Sequence, residues 1–289
     1  MKPAAFDYVR PQSLAEALTH LANDNVKVIA GGQTLAPLLA LRMTAPKLLI
    51  DIGNLTELKG VQTGPDGTKL GALTRWRDIL DHPQLALDQP LLVEAIGHVA
   101  HYQIRNRGTV GGGCSHADPA AEMPAIAVTC EAQFEIASLR GTRTVPADKF
   151  FVGMLTTALE PDELLISIHL PSWSPRRRYG FQEFSRRQGD FALAGCSLFW
   201  EDQENRCHDP HMCVFGVGDT ARRLSKVENL LSNRELTSEL IAQCADLAQK
   251  TVTTYDDLYA TADYRAALVK VMVERALYRA AGLFIEKAT

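Results

Sequence analysis

Apolar residues in this chain recur with two rhythms, one near three and a half residues and one of two. Over 13–21, Leu14, Ala17, Leu18 and Leu21 form a stripe behind Ser13, and Glu16 three residues on predicts a capping box and a short amphipathic helix. A strand follows over 26–30 and stops at Gly31–Gly32. Thr34 is placed to cap the next helix, with Pro37 tolerated in its first turn. "KLLIDIG" (47–53) reads as a buried strand, so residues 1–55 predict a small α/β unit.

A second unit is expected over 56–172. "TKLGALT" predicts a strand, Thr74 a cap for the helix in "RWRDIL", and "LLVEAIGHVAHYQI" one helix running up to a second glycine run, "RGTVGGGCSHADP". "AQFEIASLRGTRTV" predicts a hairpin around Arg140–Gly141, and "ELLISIHLP" a strand ending at Pro171. The Pro-, Ser- and Arg-rich "PSWSPRRR" is the expected linker to a third unit over 177–289. There "YGFQEFSRR", "FALAGCSLFW" and "HMCVFGVG" predict an antiparallel sheet. The tail is helical: "TSELIAQCADLAQKTV" opens with Ser/Thr caps, and a long helix follows Asp263 with Ala267, Leu268, Val271 and Leu277 on one face, ending at Gly282. The fold class expected is α+β, two α/β units followed by an antiparallel sheet with a helical tail.

Composition narrows the function classes. Of 289 residues, 46% are apolar and 22% charged, which fits a folded globular chain. The net charge of −4, with no long basic run, argues against a nucleic-acid partner. The opening "MKPAAFDYVRPQS" lacks the apolar core of a secretion signal and no apolar span is long enough to cross a membrane, so a cytoplasmic location is expected. Six scattered cysteines suit reduced thiols, and without C-x-x-C a plant-type iron–sulfur centre cannot be built from this chain alone. "CHDPHMC" (207–213) gathers soft ligands, but its C-x5-C spacing is not that of a usual zinc site; an ordinary hairpin and no metal are expected there.

The two glycine runs carry the candidate chemistry. A glycine turn after a strand lets backbone N–H groups converge on an anionic oxygen, and a following helix adds its dipole. Each run also carries hydroxyl or amide side chains, Gln33 and Thr34 in one, Thr109 and Ser115 in the other. Gly31–Gly32 lacks the third glycine of G-x-G-x-x-G, and no G-K-[ST] is present, which excludes Rossmann and P-loop readings. A dinucleotide would have to be gripped by two loops from two units.

"AGGQTLAPLLALRMTAPKLLIDI" with "QIRNRGTVGGGCSHADPAAEMP" resembles the FAD-binding medium subunit of the molybdenum hydroxylases, the family of carbon monoxide dehydrogenase, quinoline oxidoreductase and xanthine dehydrogenase. The resemblance runs over nearly the whole chain and implies a non-Rossmann, vanillyl-alcohol-oxidase-like FAD domain. It places the FAD diphosphate in the first loop (Ile29, Ala30, Gly31, Gly32, Gln33, Thr34, Leu35) and over the second (Thr109, Val110, Gly111, Gly112, Gly113). It implies that His116 lies near flavin or diphosphate, that Glu122 receives ribityl or ribose hydroxyls, and that Leu165 packs on flavin or adenine. Gln182 then stands where relatives can carry Lys, and Gly113 where they carry Asn or Ser. Read as residues alone, His116 also suits a loop hydrogen bond, Asp118 and Glu122 a helix start, Leu165 ordinary core, and Arg105 and Arg107 a solvated or acid-paired surface ahead of a phosphate contact. Arg186–Arg187 read as turn or subunit contacts.

The resemblance further implies partners: a large subunit with a molybdenum cofactor and a small subunit with two 2Fe–2S clusters, assembled as a dimer of heterotrimers. No catalytic acid–base group is expected in this chain, only FAD electron transfer to an external acceptor. A self-sufficient flavoprotein and a non-catalytic nucleotide-binding assembly subunit are the alternatives. If the first loop wraps a diphosphate, a Cβ at Gly32 is expected to block it.

Overall fold

The computed structural model describes residues 2–282. The chain opens with β1 (Asp7–Val9), α1 (Leu14–Leu21), β2 (Val26–Ile29), α2 (Leu35–Ala40) and β3 (Leu48–Asp51), whose strands form a parallel sheet in the order β1–β3–β2. Ser13 caps α1 by accepting the Glu16 N–H. The Glu16 carboxylate, however, reaches the N–H of Gln12, so the expected box closes one residue earlier. Thr34 precedes α2 in helical backbone geometry without a side-chain capping bond, contrary to expectation.

An antiparallel sheet follows, in the order β4–β5–β10–β6–β7. It is built from β4 (Val61–Gly64), β5 (Gly67–Gly71), β6 (Gln133–Ser138), β7 (Gly141–Pro146) and, later, β10 (Leu164–Pro171). Between β5 and β6 run α3 (Trp76–Asp81), α4 (Leu85–Asp88), α5 (Pro90–His98), α6 (Tyr102–Arg105), α7 (Val110–His116) and α8 (Glu122–Thr129). Between β7 and β10 lie α9 (Ala147–Phe150) and the short pair β8 (Phe151–Gly153) and β9 (Thr156–Thr157). The hairpin at Arg140–Gly141 forms as its pattern predicts. Two expectations fail here. Arg75, not Thr74, caps α3, and the Thr74 hydroxyl donates to the Gly60 carbonyl instead. The single helix predicted over 91–104 is broken at Ala100, whose φ of 41° a helix cannot hold.

The C-terminal sheet is β11 (Arg177–Phe184), β12 (Ala194–Gln203), β13 (Arg206–Phe215) and β14 (Arg222–Arg223), antiparallel throughout. The helices α10 (Ser225–Leu231), α11 (Ser238–Thr251) and α12 (Ala262–Ala280) follow. Both sheet faces are covered. Phe181, Phe199 and Phe215 join the core under α8, while Leu198, Trp200, Met212 and Val214 join the core under α11 and α12. Double burial explains why "ALAGCSLFW" reads as a continuous apolar run rather than an alternation. The buried face of α12 is Arg265, Leu268, Val269, Met272, Val273, Ala276, Leu277 and Ala280. Of the expected stripe, Leu268 and Leu277 are buried and Val271 packs half-buried on the same core; Ala267 is exposed, and Gly282 at φ 69° follows the helix as anticipated. No helix among the described residues is long and apolar enough to cross a membrane.

Candidate functional site

The two glycine runs touch. Gly31 follows β2, and a Cβ on it would stand 2.1 Å from the Arg107 carbonyl oxygen and 2.9 Å from the Gly108 Cα, so only glycine lets the first turn lie on the backbone leading into α7. Gly32 has φ 72°, and a Cβ there would meet only the Ile29 side chain. Gln33 closes the turn by donating its side-chain amide to the Gly31 carbonyl at 3.0 Å. Among the described residues, the backbone N–H groups of Gly31, Gly32, Gln33 and Thr34 find no protein acceptor. Ile29, Ala30 and Leu35 flank them half-buried. The result is a run of four N–H groups without protein acceptors, with α2 starting at its end.

The second run is not a loop but the first turn of α7, and its donors are already engaged. Val110 donates to the Thr74 carbonyl, Gly111 to Ala72, and Gly113 to Thr109. Gly112 donates to the Thr109 hydroxyl at a long 3.2 Å and is itself exposed. The other glycines serve packing. A Cβ on Gly111 would collide with Ala72, and Cβ atoms on Gly108 and Gly113 would collide with the Trp76 indole. Thr109, Val110 and Gly111 are buried and Gly113 half-buried, so of the five residues assigned to this run only Gly112 is exposed. Thr109→Val is expected to leave the Gly112 N–H uncapped and cost about 1 kcal/mol, read as a fall of roughly 2–4 °C in apoprotein Tm.

The remaining assigned residues divide. His116 ends α7 half-buried, beside Ala117 in the left-handed conformation. Glu122 is the first residue of α8 and buried; Asp118, four residues before, accepts the Ala120 N–H in the turn ahead of the helix, while the N-cap is Ala121 without a side-chain bond, so Asp118 does not cap the helix as its sequence suggests. Leu165 is 2% exposed at a bulge in β10 and belongs to the central core. Gln182 shares its face of β11 with Gly180, whose Cβ would lie 2.1 Å from the Ala276 carbonyl of α12, and with Phe184 of the helix-side core. It therefore faces α12. Its neighbour Glu183 faces the other way, with Tyr179 and Phe181, onto a cleft of about 790 Å³ between α5–α6 and β11 that also takes in His98, His101 and Tyr102. The two faces follow from the alternation in "YGFQEF", because residues spaced by two share a face.

Arg105 neither meets an acid nor stands free. Its guanidinium donates to the Val99 and Ala100 carbonyls at 2.8 and 2.9 Å and staples the break between α5 and α6. In "CHDPHMC", His211 stacks on Phe199 and its Nδ1 lies 3.0 Å from the Thr129 carbonyl. Cys207 and Cys213 fall in different cores because of a β12–β13 bulge, and no group able to hold a metal is found among the described residues. All six cysteines are free and buried. Arg186 lies over the Tyr259 ring, and the Arg187 carbonyl accepts bonds from Ser185 and Asp190 in the turn after β11.

Comparison with known proteins places this geometry. Residues 4–173 match the family described as "FAD binding domain in molybdopterin dehydrogenase", and 179–280 match "CO dehydrogenase flavoprotein C-terminal domain". The chain is 38% identical to 6-hydroxypseudooxynicotine dehydrogenase complex subunit alpha of Paenarthrobacter nicotinovorans, over 97% of this chain and 96% of the relative. It superposes with a TM-score of 0.95 on a chain of carbon monoxide dehydrogenase from Hydrogenophaga pseudoflava lacking the Mo-pyranopterin moiety of the molybdenum cofactor, at 34% identity, covering 98% of this chain and 99% of the other. Quinoline 2-oxidoreductase from Pseudomonas putida 86 gives 0.93 at 34% identity, with 98% and 99% covered.

Proposed function

The chain belongs to the family of FAD-binding medium subunits of the molybdenum hydroxylases, and from that membership we propose that it is the electron-exit subunit of a three-subunit complex. The observation that carries the site assignment is the row of unpartnered N–H groups from Gly31 to Thr34, set against the first turn of α7. A diphosphate matches it: the anion needs several donors close together with no side chain between. Gly31, Gly32, Gln33 and Thr34 hold the diphosphate, and Gly112 with Thr109 adds the second edge. His116 and Glu122 lie further along α7 and α8, toward the sugar and flavin side. Val110, Gly111 and Gly113 act by fixing α7 against Ala72 and Trp76, Leu165 by packing the core beneath, and Gln182 by packing toward α12.

Bound there, FAD supplies electron transfer between the iron–sulfur centres of a small partner and an external acceptor. Substrate hydroxylation belongs to a large molybdenum-bearing partner, in a dimer of heterotrimers in the cytoplasm. Three units, 1–55, 56–172 and 177–289, divide the labour: the first two hold the diphosphate between them and the third closes the cleft at Glu183.

The deciding measurement is on the purified chain. It is expected to show a flavin absorption band, to release FAD on denaturation, to lack turnover by itself, and to co-purify with a cysteine-rich small chain and a large molybdenum chain. A colourless protein that cannot be reconstituted with FAD, or substrate turnover by the isolated chain, sinks the proposal.

A further inference from the structure

Glu183 lines the cleft between α5–α6 and β11 with its side chain only 6% exposed, yet no lysine or arginine among the described residues pairs with it. Its Oε1 lies 3.3 Å from Nδ1 of His98, and its Oε2 has no hydrogen-bond partner among the described residues. Other largely buried carboxylates in this chain each meet an arginine. Glu163, at 3%, lies 2.6 Å from Arg143, and Glu228, at 10%, lies 2.7 Å from Arg223. Glu201 meets Arg177 at 2.9 Å, and Glu94 meets Arg279 at 2.6 Å. A carboxylate taken out of water needs donors and a counter-charge, and at Glu183 the protein leaves both incomplete.

The neighbours of Glu183 do not make up the difference. His98 packs on the Phe181 ring, with 5.0 Å between ring centroids, and offers a single ring nitrogen. Of the other charged groups on the cleft, Glu94 is taken by Arg279, and the Arg105 guanidinium is turned onto the Val99 and Ala100 carbonyls. The space itself is open: it measures about 790 Å³, and a Cβ on Gly97 would meet nothing within 4 Å. Tyr102 adds an aromatic ring, 57% exposed, that already draws the Arg77 guanidinium to 5.5 Å.

We propose that this cleft is a binding site for an organic cation bearing N–H donors, an amidinium, guanidinium or primary ammonium group, with Glu183 as its counter-charge. The N–H groups of the cation share the carboxylate with His98, and an aromatic body on it has the Tyr102 ring to lie against. No residue of the two glycine turns lines the cleft, so the site is independent of the flavin reading.

The test is calorimetric titration of the full-length chain with benzamidine, a planar amidinium, and with benzamide, its uncharged counterpart of the same shape. Benzamidine is expected to bind at least about tenfold more tightly, since only the cation matches Glu183. Glu183→Gln is expected to weaken benzamidine at least about tenfold and to bring the two ligands within about twofold of each other. Gly97→Leu tests the space instead of the charge. Its side chain enters the open volume from a helix that favours Leu over Gly, so binding is expected to be lost with Tm unchanged or raised. Repeating the titration on the chain co-purified with its partner subunits fixes the source of the cation. Benzamidine binding to both the isolated chain and the complex points to a free small molecule. Binding to the isolated chain alone points to a basic side chain of a partner seated in the cleft. No benzamidine binding to the isolated chain, equal affinity for benzamide, or an affinity unchanged in both variants overturns the proposal.

Discussion

Gly31→Val is expected to abolish FAD binding while the chain stays folded, raising Kd at least about 100-fold, with Gly32→Ala costing far less. The two neighbours differ in what a side chain would meet. At Gly31 the Cβ would stand 2.1 Å from the Arg107 carbonyl oxygen, a backbone atom that moves only if the whole approach to α7 moves. The first turn must then lift away from α7, and the N–H groups of 31–34 and the edge at Gly112 no longer converge on one anion. Losing two charge-assisted hydrogen bonds, each worth about 1.5–3 kcal/mol, already exceeds 100-fold. At Gly32 the Cβ would meet a flexible Ile29 side chain, and the cost is the φ of 72°, roughly 1–2 kcal/mol. The sequence pointed to Gly32 as the residue that keeps the diphosphate space clear; the fold shifts the larger effect to Gly31 and changes its cause to contact between turns. The core under α1, with Leu18, Leu21 and Ile50, includes none of Gly31, Arg107 and Gly108, so circular dichroism is expected to stay native. Full flavin occupancy in Gly31→Val would remove the case for a site shared by the two turns.

What could be read without coordinates follows from how local each feature is. The hairpin at Arg140–Gly141, the Ser13 cap and the strands on either side of the linker depend on residues close in sequence, and they form as their patterns predict. The glycine pair after β2 could be located, but its partner could not, because the contact of Gly31 with Arg107 joins positions 76 residues apart. The same holds for "TVGGGCSH". Three adjacent glycines suggest an open loop, yet Ala72 and Trp76, more than thirty residues earlier, fill the space and let the run become helical. Thr74 looked like a cap until the Gly60 carbonyl took its hydroxyl. The two faces of β11 are legible from alternation alone: Gln182 falls with Gly180 and Phe184 toward α12, and Glu183 with Phe181 on the opposite face.

Replacement of the buried Arg265 by Met is expected to cost about 3–5 kcal/mol of stability, on the order of 10 °C in Tm. A stripe drawn through apolar residues alone begins at Ala267 and passes over this arginine. In the fold it heads the buried face of α12 at 2% exposure. One guanidinium nitrogen donates to the carbonyls of Leu193 and Gly216 at 2.8 and 2.6 Å; the other reaches the Asp257 carboxylate at 2.6 Å, with the group lying over the Tyr255 ring. It thus ties the start of β12, the end of β13 and the segment between α11 and α12 to a single side chain. Methionine fills similar volume, so cavity formation contributes little to the loss. What remains is two carbonyls without their donor and a carboxylate without its cation. Arg265→Lys keeps the charge but not the planar fork that serves three acceptors at once, and should fall between wild type and Met. Hydrogen exchange is expected to rise first over 253–261, where Asp257 also holds the N–H groups of Tyr259 and Ala260. If Arg265→Met unfolds within 1–2 °C of wild type with unchanged exchange in that segment, the buried arginine is an incidental occupant of the core and not the pin of the C-terminal unit.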